Sequence, residues 1–127
     1  HNLGRIITDG AALPNTGVPG IIGGYGIERG NFAPCAGTLR NVHKISDYVE
    51  AGETIAMIDD TPVTAQISGI IRGLIRDGFQ VTKGFKIADV DPRKEQKKNC
   101  FTISYKARCI AGSVLEAILY LRRVKGI

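Results

Sequence analysis

With 127 residues, 43% of them hydrophobic and 23% charged, the chain is one domain's worth of ordinary globular composition, long enough to bury about two-thirds of its unfolded surface without a metal or disulfide staple. Its apolar runs fall short of the roughly 18 residues of a spanning helix, and three cysteines (Cys35, Cys100, Cys109) with no CxxC spacing argue against a secreted disulfide framework and a preformed zinc knuckle, so a cytoplasmic protein with no membrane partner is expected. The net charge of +5 would point to nucleic acid only if the cations clustered beside aromatics, and at 6% aromatic content with no such interleaving that reading is disfavoured.

The chain begins at His1 rather than Met and shows no signal peptide, as expected of a processed chain or of a fragment of a longer one. Residues 1–30 read as an ordered connection: a short strand in "GRIIT", a turn at Asp9-Gly10, turn signals in "NTG" and "VPG", and a strand at residues 25–28. "GGYG" is followed by "IERGNFAP", which is not helical, so this glycine-rich stretch lacks the helix N-terminus that a phosphate loop requires.

An internal repeat then organises residues 31–92. "APCAGTLRNVHKISDYVEAGETIAMID" (33–59) lies without gaps on "AQISGIIRGLIRDGFQVTKGFKIADVD" (65–91) at an offset of 32, with identities at Ala33/Ala65, Gly37/Gly69, Arg40/Arg72, Val49/Val81, Gly52/Gly84, Ile55/Ile87, Ala56/Ala88 and Asp59/Asp91. Each copy reads as strand, turn, strand. Gly37 and Gly69 permit a bulge or the close approach of another backbone, Val49 and Val81 plug a core, and Gly52 and Gly84 supply a positive φ in the turn that follows. The last strands, "ETIAMID" and "FKIADVD", are at least half buried on both faces, and their aspartates close each copy where a turn begins. Units of this size cannot bury their apolar faces alone, so pseudo-twofold pairing into a small flattened barrel or sandwich is expected.

The rhythm, "APCAG" included, resembles the biotinyl/lipoyl attachment domains and their relatives, the barrel-sandwich hybrids, although the first copy has Ser46 where the second has Gly78. In carrier members of that fold a lysine at the tip joining the halves takes the prosthetic group. Here the joining stretch is "DDTPVT" (59–64), and no lysine occurs between Lys44 and Lys83. A carboxylate or hydroxyl cannot form the required amide, so no covalently attached biotin or lipoate is expected; the paired aspartates read as a turn rather than a cation site.

Beyond a charged loop at residues 93–99 ("RKEQKKN"), residues 100–127 form a helical segment. Ala107, Ile110, Ala111, Val114, Leu115, Ile118 and Leu119 recur at three-and-four spacing. Ser113 with Glu116 forms a capping box, which predicts a short helix from about Ser104, a break at Gly112 and a firm helix over 113–123, ended by Gly126 and packed on the β-unit. The expected fold is therefore mainly β, two pseudo-symmetric half-repeats forming a barrel-sandwich hybrid with a C-terminal helix on it.

Taken together, "HNLGR", "PNTGVPGIIGGYGIER", "RGLIRDGFQVTKGFKIADVDPR" and "CFTISYKARCIAGSVLEAILYL" resemble the C-terminal part of the selenium-dependent molybdenum hydroxylase accessory proteins. The resemblance implies a role in maturing those enzymes, with the hydroxylase or its maturation factors as partners and the molybdenum cofactor or a selenium species as ligands to consider. Two departures stand out: Tyr105 replaces an acid of the family's "SDKA", and "AGSVLEA" stands for "GGGVLEA".

The residues offer two candidate thiols, Cys100 and Cys35, which could carry a persulfide-type sulfur or selenium adduct, with a buried inert thiol as the plainer reading of each. Cys109 reads as packing. Arg93, Lys106 and Arg108 could together bind an anion such as a phosphate of molybdopterin or its nucleotide form, against solvated surface charge as the default. His43 has no second ligand at metal spacing and reads as structural, so no metal site is expected. No catalytic constellation is visible. Three functions follow: a non-catalytic interaction module, a selenium or sulfur transfer protein working through a cysteine, and a basic nucleic-acid-binding β-module; a homo-oligomer is compatible with all three.

Overall fold

The structure, a computed structural model, describes residues 2–14 and 18–126. It divides into two compact units, Gly17–Cys100 and a second made of His1–Thr16 with Phe101–Ile127. The "NTG" turn expected at residues 15–17 lies outside the described residues.

The first unit is all β. Its strands are β1 (Gly30–Phe32), β2 (Gly37–Asn41), β3 (Tyr48–Val49), β4 (Thr54–Ile58), β5 (Thr61–Thr64), β6 (Gly69–Leu74), β7 (Gln80–Val81) and β8 (Lys86–Asp91). They form two four-stranded antiparallel sheets, ordered β1-β8-β6-β3 and β5-β4-β2-β7. Adding 32 to the residues of β1 to β4 lands on β5 to β8, and the same operation turns one sheet order into the other. The duplication read in the sequence is thus the symmetry of the fold, and each sheet takes two strands from each half.

The register obeys the same operation. Leu39↔Ile58 in β2–β4 corresponds to Ile71↔Val90 in β6–β8, and Gly37↔Val81 corresponds to Val49↔Gly69. Pro62↔Met57 corresponds to Gly30↔Asp89, and both of those ladders carry an irregularity at the matching place, where Ile55 and Ile87 are skipped. The repeat therefore begins at Gly30, three residues before the sequence alignment starts, because β1 and β5 match in conformation without matching in residue type.

Matching positions also fill the core. Leu39/Ile71, Val49/Val81, Ile55/Ile87, Ile58/Val90 and Ala56/Ala88 are all buried. In β4 and β8 adjacent residues are buried, so both strand faces are covered as expected. Gly69 shows why a strand start needs glycine: a Cβ there would overlap the carbonyl of Asp91 on the neighbouring β8. Gly52 and Gly84 take positive φ (87° and 81°) after Val49 and Val81, as the turn requires.

The one departure in the repeat's turns has a measurable consequence. Ser46 sits at φ 82° where Gly78 sits at φ 74°, and the backbone N–H groups of both donate across to the equivalent strand, Ser46 to Ile71 and Gly78 to Leu39. A serine held left-handed is strained, so Ser46→Gly should raise stability by about 1 kcal/mol, and Gly78→Ala, where open space leaves only the backbone term, should lower it by a similar amount. Paired urea titrations would test both.

Several local expectations change. "GRIIT" forms no strand, and residues 25–28 give a single Ile22↔Tyr25 bridge and a 3-10 turn at Ile27–Arg29 in place of a strand. The positively charged stretch after β8 is a 3-10 helix, Lys94–Asn99, rather than an open loop.

The second unit is built on one helix, α1 (Tyr105–Lys125). The expected break at Gly112 does not occur, since glycine inside a helix costs only about 1 kcal/mol and twenty neighbours carry it. Ser104 is the true N-cap, its side chain accepting from the Ala107 N–H at 3.2 Å. Ser113 does not cap: its hydroxyl lies between the Cys109 carbonyl, at 2.8 Å, and the carbonyl of Gly4, which share its one proton. Gly126 ends the helix at φ 67° with its N–H on the Arg122 carbonyl. The face expected to be core is not core, for no residue described in α1 is buried.

Candidate functional site

Asp91, the last residue of β8, is completely buried and is the centre of an ionic cluster. Pro92 turns the chain so that Arg93 folds back on it: the Arg93 Nε donates to Oδ1 at 3.0 Å and Nη2 to Oδ2 at 2.8 Å, a planar fork on a carboxylate, while the Arg93 N–H adds a third bond to Oδ1 at 3.0 Å. Arg72 Nη1 donates to Oδ2 at 3.3 Å. Burial pushes this carboxyl upward, but the Arg93 and Arg72 donors outweigh it and hold it at about 2.

Arg72 reaches Asp91 because β6 is irregular between Ile71 and Gly73, so that Arg72 has no partner in the β8 register. Its repeat equivalent Arg40 pairs regularly with Met57 and stays exposed. One extra residue in a ladder re-aims a side chain, and here it converts a shared arginine into a buried charge partner. Arg72 also donates to Gln96 Oε1 at 3.3 Å, which accepts from Asn99 at 3.0 Å, tying the 3-10 helix to the sheet.

Cys100 follows directly. Its thiol is half-buried and directed at two backbone carbonyls, Gln96 at 3.9 Å and Ile71 at 4.0 Å. The structure therefore brings two sequence-selected residues, Arg93 and Cys100, to one end of β6–β8. Arg93 is committed to Asp91 rather than open to a ligand, whereas Lys106 and Arg108 belong to the first turn of α1 in the other unit, exposed to solvent. Cys35, between β1 and β2, packs against the core, and Cys109 is exposed. Alkylation with iodoacetamide should accordingly modify Cys109 first, with Cys35 and Cys100 several-fold slower by peptide mapping.

Residues that composition and spacing did not single out complete this end of the unit. Arg29 is buried and donates to the carbonyls of Val90 (3.3 Å) and Gly20 (3.0 Å) and to Asp89 (3.0 Å), whose other oxygen takes Lys86 at 3.1 Å. These bonds fasten the glycine-rich stretch to β8. The signal available beforehand was an arginine beside one glutamate in a segment otherwise rich in glycine and apolar residues, too common to interpret without its partner.

At the tip between β4 and β5 the two turn residues are Asp59 and Asp60. Asp59 takes a left-handed φ of 49° and folds back on β2, its N–H donating to the Thr38 carbonyl and its carboxylate accepting from the Thr38 N–H at 3.2 Å. Pro62 falls on β5 at the sheet edge, where its missing donor costs nothing. His43 lies between carboxylates, Nε2 at 3.1 Å from Glu53 and Nδ1 at 3.5 Å from Asp47. Among the described residues no group of three or more histidine, cysteine or acidic side chains is arranged to hold a metal. No described helix is long and apolar enough to cross a membrane.

No family model matches the chain. It is 46% identical over 121 residues to the uncharacterized protein YqeB of Escherichia coli (strain K12), a match covering 95% of this chain and 22% of that protein. The chain thus spans about one fifth of the length of the curated relative it matches. Among solved structures it is similar to a succinylglutamatedesuccinylase/aspartoacylase from Rhodobacter sphaeroides at 25% identity and a TM-score of 0.40, over 50% of this chain and 21% of that one.

Proposed function

We propose that this chain is a non-catalytic, cytoplasmic interaction module in the maturation of selenium-dependent molybdenum hydroxylases, related in architecture to carrier domains but carrying no prosthetic arm. The observation that supports it most is the joining turn. A duplicated carrier-like fold presents its tip between β4 and β5, and here the tip offers Asp59, bonded back to Thr38, and exposed Asp60 in place of an amine. The ion pairs support the same reading: buried Asp91 and part-buried Asp89 are each matched by two cations, an arrangement that ties segments together. The sequence resemblance supplies the biological setting. Affinity capture of the tagged full-length gene product from cells grown with molybdate and selenite should recover a molybdenum hydroxylase subunit, with an intact mass equal to the unmodified polypeptide. Recovery without any hydroxylase, or a biotinyl or lipoyl mass on the chain, would refute it.

Cys100 supports the transfer reading as a second function, since its thiol and Arg72 both meet Gln96, the thiol at its carbonyl and the guanidinium at Oε1. If that reading is right, Cys100 alkylates faster than exposed Cys109, the reverse of the order stated above.

A further inference from the structure

The charge of the chain is unevenly placed. In the unit containing α1, six cations (Arg5, Lys106, Arg108, Arg122, Arg123, Lys125) face two acids (Asp9, Glu116), which gives it four of the five net positive charges. The cations of α1 sit at its two ends, and the stretch between them is apolar apart from Ser113 and Glu116. Along one side Ala111, Val114, Leu115, Ile118 and Leu119 recur at three-and-four spacing, and the last four are 50–59% exposed. The adjoining side forms a shallow apolar groove of about 360 Å³ between Ile6 and Ile7 and the Ala117, Tyr120, Leu121 and Val124 side chains. Just before the helix, Phe101 and Ile103 are exposed as well, and Tyr105 opens it. None of Lys106, Arg108, Arg123 and Lys125 is ion-paired among the described residues.

We infer that α1 docks on an anionic lipid surface, lying flat with its apolar side in the headgroup boundary and its terminal cations among the phosphates. The pattern has three features of a helix that binds at a lipid interface: an apolar side, flanking lysine and arginine that can extend toward headgroups, and aromatic residues at an end. The helix is not long and apolar enough to cross a membrane. A second copy of the chain is the poorer occupant. Parallel pairing of two α1 helices sets like cationic ends together, and antiparallel pairing sets Lys106 and Arg108 against Arg123 and Lys125, which is also like against like. An anionic sheet satisfies both ends at once, and its fluid surface accommodates an apolar area that spreads over more than one side of the helix.

Flotation of the intact protein with phosphatidylglycerol/phosphatidylcholine vesicles tests this. Binding should appear with the anionic vesicles, fall with added salt and be absent with pure phosphatidylcholine. Leu115→Glu with Ile118→Glu should weaken it at least tenfold. Lys106→Gln and Arg108→Gln should weaken it roughly fivefold for each cation removed. Circular dichroism of each variant should show unchanged helix, since these side chains are exposed. No binding to anionic vesicles, equal binding to neutral ones, or binding indifferent to the Leu115 and Ile118 changes would overturn the inference. So would a stable dimer that the same changes dissociate, which would assign the face to a second copy.

Discussion

Replacing Asp91 by alanine should lower the stability of the β-unit by about 3–5 kcal/mol, the largest loss expected from a single polar substitution in this protein. The reason is asymmetry. The pair as a whole gains little over a well-packed apolar equivalent, but deleting the carboxylate takes the acceptor from the Arg93 guanidinium and leaves Arg72 with Gln96 alone, both beside the emptied buried site. It also removes the acceptor of the Arg93 N–H and so releases the start of the 3-10 helix. Urea titration followed by tyrosine fluorescence would detect the loss, because the Tyr48 ring lies 4.3 Å below the Lys94 ammonium and reports on the same end of the unit. An acid titration provides the independent arm. Asp91 is held at about 2 in the folded state against 3.8 for the free side chain, so its contribution is fully present above pH 3.8 and is lost as the pH falls toward 2. About 2 kcal/mol of stability should disappear over that window, and Asp91→Asn should abolish this part of the pH dependence. An Asp91→Ala protein with the wild-type urea midpoint would show that the cluster is not a structural keystone.

The second large effect tests the symmetry of the core. Leu39 and Ile71 occupy the same place in the two halves, each fully buried and each paired with a fully buried partner, Ile58 and Val90. Truncating either to alanine should cost about 2–5 kcal/mol, and the two costs should agree to within about 1 kcal/mol, because each removes a side chain from the same position in equivalent sheets. The double variant should be near the sum if the two sites relax separately, and short of it if one void is shared. A large inequality would mean that the two sheets contribute unequal packing despite their equal register.

These effects reach the tip. The turn at Asp59-Asp60 is held from β2 by Thr38, and β2 carries Leu39, so the presentation of the tip depends on the core directly beneath it. Loss of core packing should therefore disturb any partner that reads the tip before it unfolds the chain.

How much of this was legible in the residues depends on the range of the interaction concerned. The 32-residue offset, the strand centres, Val49 and Val81 in the core, and glycine at 52 and 84 were all readable, because alternation and positive φ act over a few neighbouring residues. The lack of an amine at the tip was equally plain, since it is a matter of residue type. Helix α1 misled at its centre: the Ser113–Glu116 spacing matches a cap, yet a cap forms only where the helix is already interrupted, and Ser104 had started it earlier. What only the tertiary structure decided is the exchange of strands between sheets, the irregularity that frees Arg72, and the meeting of Arg72 with Asp91. Each of these joins residues whose meeting is set by pairing across the barrel, a non-local choice that no local period encodes.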